Sequence, residues 1–490
     1  MNWLYMQQLF LLITVSNQAS NYFGPIVHLF EWKFNDIANE CETFLSSNGY
    51  GGVQVSPITE CLIIENRPWY ERYQPISYKV CSRSGDENSF KDMVKRCKQV
   101  GIKIYVDVVL NHMTGNHKDG KGVCGSTADT EKFDYPAVPY TKEDFNLPTC
   151  SIHDYNNPTE IRVCELVGLH DLNTTSNHVR QNIIQFLNHL IDLGVAGFRI
   201  DAAKHMWPSD LQYIYSNLNN QKIVQNFPDQ TKAFIYQEVI DFDPGRKISK
   251  LFTPLALVTE FKYGQELKRA FRGENPLKWF YNFGPDWDLL PSSDSLVFVD
   301  NHDNQRGEGH GTEALMHKES RAYKMAMAFM LSWPFGYPRV MSSFSFSDVN
   351  AGPPHNNDYS IKSAVIKDNT CNNGWVCEHR WRQIFNMVKF RKIVQDTAVT
   401  NWWDNGNNQI SFCRGTKGFI AFNVDSSDLN FRLQTCLPGG SYCDIISGDV
   451  VGQHCSGKQV NVDKNGYADI KIKTSDYDGV LAIHEKSKIN

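Results

Sequence analysis

Eight short apolar runs, separated by stretches of helical periodicity or loop, set the frame for this 490-residue chain. They are IVHLFEW (26–32), GGVQVSP (51–57), IKIYVDVVLNH (102–112), GFRIDAA (197–203), FIYQEVI (234–240), ALVTEFKYG (256–264), SLVFVDNHD (295–303) and PRVMSSF (338–344). Strands buried on both faces read as near-continuous apolar runs, the pattern of a parallel sheet covered by helices. In NHVRQNIIQFLNHLIDLG, Val179, Ile183, Phe186, Leu187 and Leu190 share one helical face, and Gly194 stops the helix. The repeated strand–helix unit predicts an α/β chain whose parallel strands close into a (β/α)8 TIM barrel.

Two regions break that rhythm. Residues 111–172, rich in Gly, Asp, Asn, Pro and Tyr, are too many for a βα loop and predict a small inserted domain after the third strand. Beyond residue 397 the segments QISFCRG, GFIAFNV, YCDIISG, ADIKIKT and GVLAIHE predict a C-terminal antiparallel β-sandwich over 398–490. The barrel itself then occupies 21–110 and 173–397. The first twenty residues read as a signal peptide, with an apolar core at Leu9–Val15 and small residues after it. No Lys or Arg precedes that core, and a buried N-terminal segment is the other account. Thirteen cysteines suit disulfides in a secreted, extracellular protein, and Asn173–Thr175 forms a glycosylation sequon. A net charge of −5 offers nothing for nucleic acid or an anionic membrane, and a monomer is the default.

Chemistry in such barrels gathers at the C-terminal ends of the strands. Those ends carry Asp107 after the third strand, Asp201 after the fourth, Glu238 after the fifth and Asp303 after the seventh. One or two acids there would serve as helix caps; four call for chemistry. In GFRIDAAKH, Arg199 and Asp201 point the same way because strand side chains alternate. A structural ion pair near a sheet edge is the bland account of them. With no redox motif, phosphate loop or serine elbow in the chain, converging carboxylates suggest glycoside hydrolysis. One attacks the anomeric carbon, and another, its pKa raised by burial and negative neighbours, protonates the leaving oxygen. RPWYERYQP adds Trp69, Tyr70 and Tyr73, rings for a sugar face or for ordinary core packing.

Together DVVLNH, GFRIDAAKH, YQEVI and FVDNHD resemble, in order, the four conserved regions of glycoside hydrolase family 13. HLFEW, GGVQVSP, WYERYQP, GVAGFRID, VCEHRWR and NWWDNG extend the similarity to its animal-type, chloride-dependent α-amylases, from about residue 26 to the C-terminus. The resemblance implies that Asp201 is the nucleophile, Glu238 the general acid and then base, and Asp303 the transition-state stabiliser. It implies that Arg199 orients the nucleophile and that His112 and His302 touch the sugar in the cleavage subsite. Trp69, Tyr70, Tyr73 and Tyr155 match stacking positions, and Lys204 and His205 match further sugar contacts.

The same likeness implies a structural Ca2+ held by Asn111, the Arg162 carbonyl, Asp171 and the His205 carbonyl, oxygen donors that suit a hard cation. On sequence alone, Asn111 and Asp171 read as cap or turn residues. An activating Cl− would lie on Arg199, Asn301 and Arg339, where a negative charge favours the protonated form of Glu238; without the family, Arg339 reads as a surface or salt-bridged arginine. Matching cysteines imply the pairs Cys41–Cys97, Cys81–Cys124, Cys150–Cys164, Cys371–Cys377 and Cys443–Cys455. Of the three additional cysteines, Cys413 and Cys436 both fall in the β module and are expected to pair, leaving Cys61 free.

The whole implies a retaining, endo-acting α-amylase cleaving internal α-1,4 bonds of starch, glycogen and maltooligosaccharides. Another α-glucan enzyme, such as a maltase or transglycosylase, is one alternative, and a catalytically inactive glucan-binding relative is another. All three carboxylates are present, which weighs against the second. Two departures from the family bear on the cleft: Glu308 stands where a substrate-touching histidine is expected, with His310 displaced, and SFSFSDVNAGPPHNN (343–357) reads as a shortened loop and a more open rim.

Overall fold

The computed structural model describes residues 24–220, 232–307 and 313–489. The leader read over 1–20 and the departure at Glu308 and His310 lie outside the described residues. Eight strands form a closed barrel: β1 (Ile26–Leu29), β2 (Gly52–Val55), β3 (Lys103–Val108), β4 (Gly197–Ile200), β5 (Phe234–Gln237), β6 (Leu257–Thr259), β7 (Ser295–Val297) and β8 (Tyr337–Ser342). β1 pairs in parallel with β8 on one side and β2 on the other, so the sheet has no edge. Every strand lies within its apolar run or extends a residue beyond it. At Gly197 the backbones crowd: a Cβ there would meet the Phe234 carbonyl oxygen at 1.9 Å.

The strands are short because the barrel needs only enough length to hold its filling. Ile26, Tyr105, Tyr236, Leu257, Leu296 and Phe298 plug the interior. The inward side chains also include His28, Gln54, Asp107, Arg199 and Arg339, all buried. Helices cover the outside. Glu87–Gln99 starts at Asp86, whose carboxylate accepts the Ser89 N–H at 2.9 Å, and buries Phe90, Met93, Val94 and Cys97 at helical spacing. Asn177–Asp192 buries the face expected of it, and Gly194 follows at φ +100°.

Between β3 and Asn177–Asp192 the chain makes only short helical pieces, Thr130–Lys132, Lys142–Asp144, Pro158–Val163 and Leu166–Gly168. Cys150–Cys164 staples this segment internally, and Cys81–Cys124 fastens it to the strand Pro75–Ser82. The C-terminal region is antiparallel throughout. Val399–Asp404, Gln409–Arg414, Gly418–Asn423 and Val480–His484 form one sheet, and Leu429–Gln434 pairs with Tyr467–Ile472. Phe419, Leu433, Tyr442, Ile470 and Ile483 fill a core of their own there. All five family-type disulfides form, and so does Cys413–Cys436. Cys61 is free and buried, and burial pushes its thiol up to about 12.

Candidate active site

Arg199 is the centre of the barrel mouth. It is 1% exposed, and its Nη1 donates to Asp107 Oδ1 at 2.6 Å and to Asp201 Oδ1 at 2.8 Å, while Nη2 lies 2.6 Å from Glu238 Oε1. Asp107 stands directly opposite Arg199 in the β3–β4 register. It therefore lies within β3 rather than beyond its end, as a buried partner of the arginine and not as a fourth acid facing the opening. Burial pushes the Asp201 carboxyl well above the usual carboxylate range, Arg199 pulls it back, and Glu238 and Asp107 raise it again. Glu238 Oε2 accepts the Ala202 N–H at 2.8 Å. Ala202 reaches that position in a left-handed conformation, φ +47°. Asp303 Oδ2 lies 3.3 Å from Asn301 Nδ2 and 3.3 Å from His302 Nε2.

Asp201, Glu238 and Asp303 open onto a cavity of about 720 Å³ whose walls include Trp69, Tyr70, Tyr73, His112, Tyr155, Lys204 and His205. The turn Trp69–Tyr73 presents its three rings to that space because its charged residues are pinned behind it. Arg72 Nε donates to Glu31 Oε2 at 2.9 Å, and Arg67 holds Glu71 through two bonds of 2.7 and 2.9 Å. Lys204 Nζ donates to the Ile240 carbonyl at 2.9 Å and sits 5.3 Å from the Tyr155 ring, joining barrel to inserted segment across the cleft. The His112 Nε2 lies 3.0 Å from the Tyr73 carbonyl, and burial brings its imidazole down to about 4, so it is neutral. His302 stands behind the wall, its ring stacked on Tyr73 at 5.2 Å; burial, then the Arg199 charge, hold it well below the usual histidine range.

Sequence reasoning missed other walls of the cavity: Gln74, Leu166, Val167, Leu169, Ile240 and Gly307. The apolar LVGL inside a polar insert was the available signal. Val167 is 84% exposed at φ +48°, a conformation that β-branched residues rarely adopt. The segment read as leaving an open rim also reaches the site, since Trp69 Nε1 donates to the Val349 carbonyl at 3.0 Å.

Asn111 and Asp171 come together as the calcium reading requires. Asp171 accepts from Asn111 Nδ2 at 3.1 Å and Asn146 Nδ2 at 2.7 Å, with no cationic side chain in ion-pair distance among the described residues. Burial pushes its carboxyl up to about 8. His205 Nδ1 lies 2.9 Å from the Ile161 carbonyl, which brings its turn against the helix carrying Arg162. No group of three or more His, Cys, Asp or Glu that could hold a metal occurs among the described residues; around Asp171 the polar partners are the side-chain amides of Asn111 and Asn146. That set fits a hard cation.

The residues named for the anion stand in different surroundings. Arg339 is buried, donates to Gln54 Oε1 at 2.8 Å, covers the Phe298 ring at 4.6 Å, and has no carboxylate in ion-pair distance among the described residues. Both ring nitrogens of His28 are buried without a hydrogen-bond partner among the described residues. Burial holds the His28 imidazole well below the usual histidine range, so it is neutral and offers one unpartnered N–H beside the Arg339 charge, a setting that fits an anion. Asn301 is engaged otherwise: its Nδ2 faces Asp303, and its Oδ1 accepts the N–H groups of Asp303 and Asn304 at 3.2 and 2.8 Å.

Known proteins match this arrangement along the chain. Residues 43–260 match the family described as alpha amylase, catalytic domain, and residues 400–486 match the alpha amylase, C-terminal all-beta domain. Alpha-amylase-related proteins of Drosophila bakoue and Drosophila melanogaster are each 54% identical over 469 residues, covering 95% of this chain and 94% of theirs. The α-amylase I of Eisenia fetida is similar in structure with a TM-score of 0.88 at 44% identity, over 95% of this chain and 99% of that one. A mutant of that enzyme in complex with maltohexaose gives a TM-score of 0.89 at 43% identity, with the same coverage. With an eight-stranded barrel, three carboxylates at its mouth and relatives matched over nearly its whole length, the chain belongs to the α-amylase family, glycoside hydrolase family 13.

Proposed function

We propose that the protein is a secreted α-amylase that hydrolyses internal α-1,4-glucosidic bonds of starch, glycogen and maltooligosaccharides with retention of configuration. The observation that carries this is the single Arg199 guanidinium, which holds Asp201 and Glu238 on adjacent nitrogens at 2.8 and 2.6 Å. Carboxyls clasped together suit double displacement, which uses a separation of ~5 Å, better than inversion, which leaves ~6.5–9.5 Å for a water. Asp201 attacks the anomeric carbon while Glu238 gives its proton to the departing glycosidic oxygen. Glu238 then takes a proton from water, which adds to that carbon and releases Asp201. Asp303 stabilises the oxocarbenium-like charge and, with His112, Lys204 and His205, holds sugar hydroxyls, while His302 backs Tyr73 and Asp303 from behind the wall. Trp69, Tyr70, Tyr73 and Tyr155 stack on the pyranose faces.

Asn111, Asp171 and the carbonyls of Arg162 and His205 would hold Ca2+, which supplies a structural tie between inserted domain and barrel. Arg339, with Arg199 beyond it, would hold Cl−, whose charge offsets the field of the two arginines at Glu238; Asn301, engaged with Asp303 and Asn304, would have to turn its amide to join them. The same reading divides the chain into barrel (21–110 and 173–397), inserted domain (111–172) and C-terminal domain (398–490). Six disulfides support an extracellular location, and a monomer is the default reading.

Release of reducing ends from soluble starch, followed beside viscosity, tests the reading. The protein is expected to thin starch long before glucose accumulates, and Glu238→Gln to abolish both. A folded, calcium-loaded protein that binds maltohexaose without cleaving it would make this chain a glucan-binding relative instead.

A further inference from the structure

Asp303 is followed at once by a single helical turn, Asn304–Arg306, that ends on Gly307 at φ +76°. The turn carries Arg306 back beneath the cleft, where it is 5% exposed. Its guanidinium lies over four rings, with Phe346 at 4.3 Å, Phe344 at 5.1 Å, Trp69 at 5.3 Å and Phe30 at 5.4 Å. Its Nη1 donates to the His302 carbonyl at 2.6 Å. Phe30 follows β1, Trp69 follows β2, His302 follows β7, and Phe344 and Phe346 follow β8. One side chain therefore ties together four of the loops that ring the active site.

Two of these partners belong to the cleavage site. Trp69 lines the cavity, and His302 stacks on Tyr73 while its Nε2 faces Asp303. A planar guanidinium can lie against ring faces and donate in its own plane at the same time. A lysine keeps the charge without the plate, and a glutamine keeps a donor without the charge. Phe30 and Phe344, stacked at 5.6 Å with 9° between their planes, complete a box that excludes water, where attraction between a cation and a ring is strongest.

We propose that Arg306 is a positioning residue that sets the gap between the Trp69 ring and Asp303, and with it the fit of the sugar in the cleavage subsite. The proposal rests on the amylase reading above. Arg306 acts through Trp69 and His302, so its loss weakens sugar binding more than it slows turnover.

The test compares Arg306→Gln and Arg306→Lys with the full-length wild type on maltohexaose, at a temperature where near-ultraviolet circular dichroism shows each protein folded. Arg306→Gln is expected to raise KM about tenfold with kcat reduced by less, and Arg306→Lys to raise KM about threefold. In a Glu238→Gln background, tryptophan fluorescence titrated with maltohexaose should show the same loss of affinity without turnover. Wild-type KM and affinity in Arg306→Gln, with only a lowered melting temperature, would reduce Arg306 to a structural role and overturn the proposal. If Arg306→Gln fails to fold, wild-type KM in Arg306→Lys overturns it equally. A wild type that binds but does not cleave refutes the amylase reading alone, and the titration still decides Arg306. A wild type that does neither refutes both.

Discussion

Replacing Arg199 with methionine removes the one cation that three buried acids share, and the consequence is a displaced pH profile. Asp201, proposed above as the nucleophile, sits 2.8 Å from the guanidinium. With charge centres ~4 Å apart and an effective dielectric near 20, their attraction is ~4 kcal/mol, equivalent to ~3 pK units at 1.36 kcal/mol each. Burial already holds Asp201 above the ordinary range, and the Arg199 charge is the strongest influence pulling it down. Losing the arginine raises it further, and Glu238 and Asp107 then repel without compensation. Attack requires the ionised carboxylate, so a higher pKa moves the acid limb of kcat/KM to higher pH. Water entering the site will blunt the shift, which leaves an expected displacement of about 2–3 units and a loss of about 10²–10³ in kcat/KM near neutral pH. Initial rates on a chromogenic maltooligosaccharide, followed across the pH range at constant ionic strength, read this directly. Removing one member of a buried pair also costs ~3–5 kcal/mol of stability, so folding is checked at the assay temperature. Arg199→Lys, which keeps a charge, should shift the limb less. An Arg199→Met profile that is lower at every pH but keeps the wild-type acid limb would refute the electrostatic account.

Other expectations follow from the same arrangement. Chelation should lower the melting temperature of the wild type, and Asp171→Asn should lose that response; a variant that still responds to calcium as the wild type does would move the cation elsewhere. Arg339→Gln should abolish any rise in rate with chloride, measured by titrating the halide at fixed ionic strength, because it removes a guanidinium buried in the barrel with no carboxylate in ion-pair distance among the described residues. Cys413→Ala with Cys436→Ala should destabilise the C-terminal module. The bridge closes a loop with a sequence separation of 23, worth ~3 kcal/mol by chain entropy, and urea unfolding should show the loss with Cys61 left unchanged.

What could be read along the chain, and what could not, divides on whether a fact belongs to one strand or to several. Burial on both faces makes a strand apolar throughout, so the eight runs were legible one by one, and strand alternation alone put Arg199 and Asp201 on a common face. Asp107 was not legible in the same way. Its depth follows from standing opposite Arg199 across β3 and β4, and register is a property of the pair. Gln54 shows the limit more sharply. In GGVQVSP nothing marks it, yet it accepts from Tyr236 at 2.9 Å and from Arg339 at 2.8 Å, joining β2, β5 and β8. Arg306 in DNQRG needed four loops to converge before its surroundings existed.

The closed barrel also explains why the two arginines of its mouth differ so much. Inward positions from alternate strands stack into layers, and successive layers interlock, so each charge meets what the surrounding strands deliver near its height. β3, β4 and the end of β5 deliver Asp107, Asp201 and Glu238 around Arg199. β1, β2 and β8 deliver His28, Gln54 and Arg339, with no acid among them. One side of the layer is thus crowded with negative charge and the other lacks it, although both arginines are buried. An isolated buried cation is costly, and adding a carboxylate beside Arg339 would compete with Asp201 and Glu238 for Arg199. The small exchangeable anion proposed above would satisfy Arg339 without placing another proton-binding group in the candidate site. On this account Arg339→Gln relieves the burden that the anion exists to meet, so its stability should depend on chloride less than that of the wild type. Equal stabilisation of both proteins by chloride would show that the anion binds elsewhere.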